Sequence, residues 1–237
     1  MSAQQLTYLV TGASRGLGLE FVKQLSAKGH IVIATARDPT KAEALVSLID
    51  YEKVIGVALD TTDQSSVKAA FEKIKTIAPH GIDVLINNSG ISGPASETAL
   101  TATADQYLDV FKTNVVGTSN VTQAALPLLR QKDTRKIINI SSIVGSIKLN
   151  VHGATMPYYG VSKAGENYLT KALSASLAEE KFIVVAVHPG WVQTDMGGQK
   201  APLKAEESIA GMVEQIEKLT QEKNGAYFDY TGESLPY

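Results

Sequence analysis

Short runs of β-branched and aliphatic residues alternate along this chain with longer stretches of helical periodicity, and that alternation constrains the fold more than any other feature. Strands are expected at Thr7–Val10, His30–Thr35, Val54–Leu59, Val84–Asn87, Lys136–Ile140 and Ile183–Val187, with a late one at Ala226–Asp229. Helical patterns fill the gaps at Leu17–Lys28, Lys41–Ile49, Ser65–Ile77, a long stretch over Thr103–Gln131, Tyr158–Glu180 and Ala205–Glu222. Most strand runs are nearly continuous in Val, Ile and Leu, as expected where both faces of a sheet are covered. Right-handed crossovers between such strands build a doubly wound parallel sheet of about seven strands with helices on both faces, a three-layer α/β sandwich. Ligands of such sheets bind outside the carboxyl ends of the strands, where the strand order switches. No repeat or Pro/Gly-rich linker divides the 237 residues, so the chain reads as one domain, 1–237.

Composition removes several function classes. A formal charge of −2 offers no basic stripe for nucleic acid and no polybasic membrane patch. The chain has no cysteine, which rules out disulfides, thiolate nucleophiles and Cys-ligated metals. The four histidines, His30, His80, His152 and His188, show no metal-ligand spacing, so no metal is expected. The start, Met-Ser-Ala-Gln-Gln, lacks a positive leader region, and no apolar run is long enough for a membrane span. The expectation is a soluble, cytoplasmic protein.

Between the first strand and the first helix lies Thr11-Gly12-Ala13-Ser14-Arg15-Gly16-Leu17-Gly18. Glycines at 12, 16 and 18 permit a tight turn and a close backbone approach to a pyrophosphate, and the helix N-terminus presents free N–H groups to the phosphates. The sheet is therefore read as a Rossmann-type, NAD(P)-binding one. After the second strand comes Ala36-Arg37-Asp38, where an adenosine ribose is read. Arg37 would pair with the 2′-phosphate of NADP, with Arg15 as a second cation; Asp38 would favour NAD, although its Asp-Pro context also suits a turn. NADP(H) is the favoured cofactor.

Tyr159 and Lys163 stand four residues apart on one expected helix, with Ser141-Ser142 upstream. A free tyrosine, with a pKa near ~10, exchanges protons poorly at neutral pH, and an ammonium one helical turn away stabilises the tyrosinate. Tyr158 is the rival hydroxyl, but it has no lysine at the fourth position and is expected to pack or line the site. Ser142 by itself could be a strand-end cap and Asn114 a helix interruption.

Taken in order, Thr11–Gly18, Asp60, Asn87-Asn88-Ser89-Gly90, Asn114, Ser142, Tyr159/Lys163 and Pro189-Gly190 resemble the short-chain dehydrogenase/reductase family along the full chain. The segments from His188 to Gly198 and from Phe228 to Pro236 resemble the sniffer-type carbonyl reductases. Ser89 departs from the usual Asn-Asn-Ala-Gly. The resemblance implies that Gly12, Ser14, Arg15, Gly16, Leu17, Gly18 and Arg37 bind the cofactor, that Asp60 holds the adenine and that Asn87 lines the adenosine side. It implies that Pro189, Gly190, Val192 and Thr194 cover the nicotinamide and that Tyr159 and Lys163 also touch the cofactor. It assigns catalysis to Asn114, Ser142, Tyr159 and Lys163: Tyr159 as proton donor, Ser142 orienting the substrate oxygen, and Asn114 holding a relay water to Lys163.

The expected activity is therefore NADP-dependent reduction of ketones or aldehydes to alcohols. A non-catalytic NADP(H)-binding regulator on the same fold is the alternative. An epimerase or dehydratase is disfavoured, because the residues after Gly190 suffice only for one helix, one strand and a tail. Substrate loops are expected near 143–157 and 191–204. Pocket candidates Ile91–Pro94, Ile143–Val144, Val151–Met156, Trp191 and Met196 tilt apolar, which suits a small apolar carbonyl substrate. By family analogy the long helices would join two copies in a homodimer.

Overall fold

The computed structural model of the chain describes residues 4–94 and 96–237. The first three residues of the segment read for a leader lie outside that range. Seven strands form one all-parallel sheet in the order β3-β2-β1-β4-β5-β6-β7. They are β1 Thr7–Val10, β2 Ile31–Ala36, β3 Val54–Ala58, β4 Val84–Asn87, β5 Lys136–Ile140, β6 Ile183–His188 and β7 Tyr227–Asp229. The helices are α1 Gly16–Ala27, α2 Glu43–Val46, α3 Gln64–Ile77, α4 Ala104–Phe111, α5 Gly117–Leu129, α6 Pro157–Ser176 and α7 Ala205–Lys218.

Alternation along each strand feeds two apolar cores. In β1, Tyr8 and Val10 join Phe21, Leu25, Met212 and Ile216 on the α1/α7 face. Leu9 points the other way, onto Phe71, Ile74, Val121 and Leu128 of α3 and α5. Both faces are thus apolar, which is why the strand sequences run hydrophobic without a break. The sheet grows outward from β1 to β3, then restarts at β4 on the other side of β1. The switch lies at the carboxyl ends of β1 and β4, where a ligand crevice opens.

Four helical segments differ from the sequence expectation. At Lys41–Ile49 there is a 3-10 turn, Pro39–Lys41, and then the four-residue α2. Asp38 starts that turn by accepting from the Thr40 N–H, and Ala42 leaves helical geometry between the two pieces. Helix α6 stops at Ser176, and Lys181 adopts a positive φ of 59° before β6. Helix α7 ends at Lys218 because Leu219 turns extended, leaving Gln221–Lys223 as a separate 3-10 turn. The long stretch Thr103–Gln131 is two helices joined by a π-helical turn at Lys112–Val116. A capping box between Thr103 and Gln106 opens α4.

Candidate active site and cofactor cleft

The loop after β1 is built for close approach. Gly12 and Gly16 have φ of +66° and +55°, a region closed to most side chains. A Cβ on Gly12 would touch Ser89 at 3.0 Å, so the loops after β1 and β4 pack directly together. Thr11 Oγ1 accepts from the backbone N–H groups of Asn88 and Ser89, and Asn88 Nδ2 donates to the carbonyls of Thr11 and Gly12. No side chain caps the N-terminus of α1 and no acidic residue sits in its first turn, which leaves that helix end receptive to an anion.

Beside this loop a cavity of about 380 Å³ is lined by Ser14, Arg15, Ala36, Arg37, Asp38, Lys41 and Ala42. Three of its side chains are cationic. Asp38 is engaged within its own turn: Oδ1 accepts from the Thr40 hydroxyl at 2.6 Å, and Oδ2 lies 3.1 Å from Lys41 Nζ. Those hydrogen bonds, with the Lys41 charge, hold its carboxyl below the usual carboxylate range. Asp60, at the end of β3, accepts from the Thr62 N–H and hydroxyl.

The catalytic candidates come from three elements. Ser142 follows β5 and caps a 3-10 turn, its Oγ accepting from the Val144 N–H at 3.3 Å. That turn lies against α6: a Cβ on Gly145 would be 2.6 Å from the carbonyl carbon of Lys163. Tyr159, in the first turn of α6, is partly exposed, whereas Tyr158 is buried and packs edge-on to Tyr107 at 6.1 Å. Lys163 Nζ lies 5.9 Å from the centre of the Tyr159 ring. It donates to the Ile140 carbonyl at 2.7 Å and to Glu166 Oε2 at 2.5 Å. Burial works against the charge on Lys163, but Glu166 and Tyr159 outweigh it and hold the ammonium above its ordinary range. Burial pushes Glu166 up, against the pull of Lys163.

Asn114 sits in the π-helical turn, fully buried. Its amide donates to the Ile91 carbonyl and to Ser162 Oγ, and its Oδ1 accepts from the Ile91 N–H. It therefore pins the loop after β4 to α6. Asn87 is also buried; its amide donates to Thr122 and Asn139, inside the protein, and the neighbour that reaches the glycine loop is Asn88.

The segment after β6 folds over the glycine loop. Val192 bridges to Leu203, Ser208 donates to the Pro189 carbonyl, and Gly190 has a φ of +84°. A Cβ on Gly16 would contact the Thr194 methyl group at 3.6 Å. Arg15 and Asp195, both exposed, lie 3.5 Å apart across the same opening. Trp191 is mostly exposed, with Nε1 donating to the Gly197 carbonyl, and so is not the packing residue that a lone tryptophan usually is. Between Gly145 and the start of α6 at Pro157 the chain is irregular, and a bridge between Thr98 and Thr155 ties it back.

The short chain dehydrogenase family model matches residues 7–205. The chain belongs to that family. An uncharacterised oxidoreductase of Schizosaccharomyces pombe is 35% identical with both chains covered in full. The NADPH-bound carbonyl reductase from chicken fatty liver superposes with a TM-score of 0.93 at 34% identity, over 99% of this chain and 100% of the other. The carbonyl reductase Sniffer of Drosophila melanogaster gives 0.93 at 33% identity with the same coverage. This short-chain dehydrogenase is thus an oxidoreductase that resembles the sniffer-type carbonyl reductases, and its sheet is the Rossmann-type one expected. Among its described residues no helix is long and apolar enough to cross a membrane.

Sequence reasoning gave no role of its own to three residues of the candidate site. Lys41 joins the cationic cavity, and its signal was a base three positions after Asp38 in an Asp-Pro turn. Asn88 clasps the glycine loop, which only the β1/β4 adjacency reveals. Glu166 pairs with Lys163, and its signal was an acid at the i+3 position of the same helix.

Proposed function

We propose that this oxidoreductase reduces small apolar ketones or aldehydes with NADPH, Tyr159 serving as the proton donor. The observation that carries the reading is the buried Lys163 ammonium, held 5.9 Å from the Tyr159 ring beside the Ser142 turn. The residues present fit NADP(H): two positive-φ glycines, a side-chain-free α1 terminus, and a cavity with Arg15, Arg37 and Lys41 at the ribose end. Arg37 and Lys41 would hold a 2′-phosphate, with Asp38 already engaged in its turn. The NADPH-bound state of the chicken liver relative supports the same choice.

When bound, the nicotinamide supplies a hydride to the carbonyl carbon. The Tyr159 hydroxyl gives its proton to the carbonyl oxygen as negative charge develops there, leaving a tyrosinate that Lys163 stabilises. The Ser142 hydroxyl hydrogen, not used in its bond to Val144, orients the same oxygen. Asn114 fixes the wall between Ile91 and α6, and any relay water belongs near its turn. Asp60 and the residues around Asn87 would hold the adenosine side of the cofactor, and Pro189, Gly190, Val192 and Thr194 would cover its nicotinamide.

The test is NADPH oxidation by the purified protein against diketones, quinones, aldehydes and aromatic ketones, beside Tyr159→Phe. Turnover that falls at least ~100-fold in the variant supports the reading. Tight NADPH binding with no turnover on any compound would favour the non-catalytic regulator.

A further inference from the structure

Glu166 has no part in the reaction as set out above, yet it holds one of the most constrained positions in the chain. It is 1% exposed and Lys163 is 4% exposed, and their charged atoms are 2.5 Å apart. Among the described residues Lys163 is the one cation within ion-pair distance of this carboxylate. Its other oxygen accepts from Thr118 Oγ1 of α5 at 3.3 Å. A buried carboxylate is costly, and breaking such a pair leaves an uncompensated charge in the interior, so its presence calls for a role.

We propose that Glu166 is a positioning residue that balances the charge of Lys163 and thereby keeps Tyr159 in its phenol form, the form carbonyl reduction requires. The inference rests on Tyr159 and Lys163 acting as read above. With the carboxylate present, phenol, ammonium and carboxylate together are neutral. Losing a proton from the phenol–ammonium pair leaves a net negative charge beside a carboxylate that is itself shielded from water. Without the carboxylate the same loss leaves the pair neutral, whichever of the two groups releases the proton. Removing Glu166 must therefore make the pair release its proton at lower pH.

The neighbouring groups do not blur this. From α6 come Tyr159, Lys163 and the neutral Ser162 and Asn167; from α5, Thr118; from the π-helical turn, Asn114; and from β5, the Ile140 carbonyl. From β7 comes Tyr227, which burial keeps strongly protonated and whose ring lies 5.3 Å from that of Tyr237. None of these is a second cation, and neither tyrosine is ionised at neutral pH.

The experiment follows the Tyr159 ring by NMR of protein carrying ring-labelled tyrosine, its signal identified by Tyr159→Phe. Wild type, Glu166→Gln and Glu166→Asp are titrated with pH, with no substrate needed. The expected result is a midpoint about one pH unit or more lower in Glu166→Gln, with Glu166→Asp close to wild type because it keeps the charge. An unchanged or higher midpoint in Glu166→Gln would overturn the proposal, as would equal shifts in both variants, which would assign the effect to packing. If Glu166→Gln does not fold, the comparison of wild type with Glu166→Asp decides: a large shift in the charge-preserving variant counts against the proposal, and a matching midpoint for it. Because the readout is independent of turnover, a protein that reduces none of the carbonyls offered still reports on Glu166.

Discussion

A Cβ atom on Gly18 would lie 2.2 Å from the carbonyl oxygen of Gly12. Helix α1 therefore enters the structure on top of the glycine loop itself, and the two can coexist only while position 18 has no side chain. The contact is with backbone, so no side-chain rotation relieves it.

Gly18→Ala should accordingly push α1 away from the loop. An overpacked site of this kind costs about 1–3 kcal/mol, which for a chain of this size corresponds to a Tm lower by roughly 3–10 °C. NADPH affinity should fall at least ~10-fold, because the backbone N–H groups no longer converge. Thermal unfolding and a nucleotide fluorescence titration check both. A variant with native values in each would show that the loop is not a phosphate cradle.

The cation pair at the ribose end predicts a cofactor preference. Arg37→Ala and Lys41→Ala should each weaken NADPH binding by about 5–30-fold while leaving NADH almost unchanged, since a charged hydrogen bond is worth roughly 1–2 kcal/mol. The loss should shrink at high salt, because the cavity is open to solvent. Equal losses for both nucleotides would move 2′-phosphate recognition elsewhere, with Arg15 the next candidate.

His188, at the end of β6, has an Nδ1 with no partner among the described residues, and burial pushes its imidazole down to about 4, against the opposing pull of Asp229. A depressed imidazole leaves stability intact above the unfolded value near ~6.5 and removes it as pH falls toward the folded value. The loss is up to about 1.4 kcal/mol per pH unit across that window. Denaturant unfolding at pH 7 and pH 4.5 should show wild type losing about 2 kcal/mol more than His188→Asn. Parallel losses in the two proteins would remove His188 as the cause.

The homodimer remains a proposal, supported by apolar side chains left exposed on adjoining helices: Leu108 and Phe111 on α4, Val161 and Tyr168 on α6. Sedimentation equilibrium should give twice the chain mass, and Tyr168→Glu should return it to that of one chain. A concentration-independent monomer in the native protein would end this reading.

The strands were legible because both faces of the sheet are buried, so that each appears as an apolar run; β1, β4 and β5 have the bounds expected. The glycine loop and the Tyr159/Lys163 pair were legible because their spacing is local. What the sequence hid is non-local or subtle in backbone geometry. Within Lys112–Val116 only Asn114 hints at an interrupted helix, and no proline or glycine marks the π-helical turn itself. The inward direction of the Asn87 side chain depends on Asn139 and Thr122, 52 and 35 residues away. The engagement of Asp38 by Lys41 needed the 3-10 turn to bring them together.

The π-helical turn works as a slip joint. A regular helix from Ala104 to Leu129 would hold one angular phase throughout, each residue advancing it by about 100°. The wider turn at Lys112–Val116 resets that phase, so α5 can seat Val121, Ala125 and Leu128 against the sheet while Asn114 still reaches Ile91 and Ser162. Helix α4, whose only buried hydrophobic side chain is Val110, is thereby released from the demands of the core. Its surface can be remodelled for a different partner without rotating the residues that face the candidate active site.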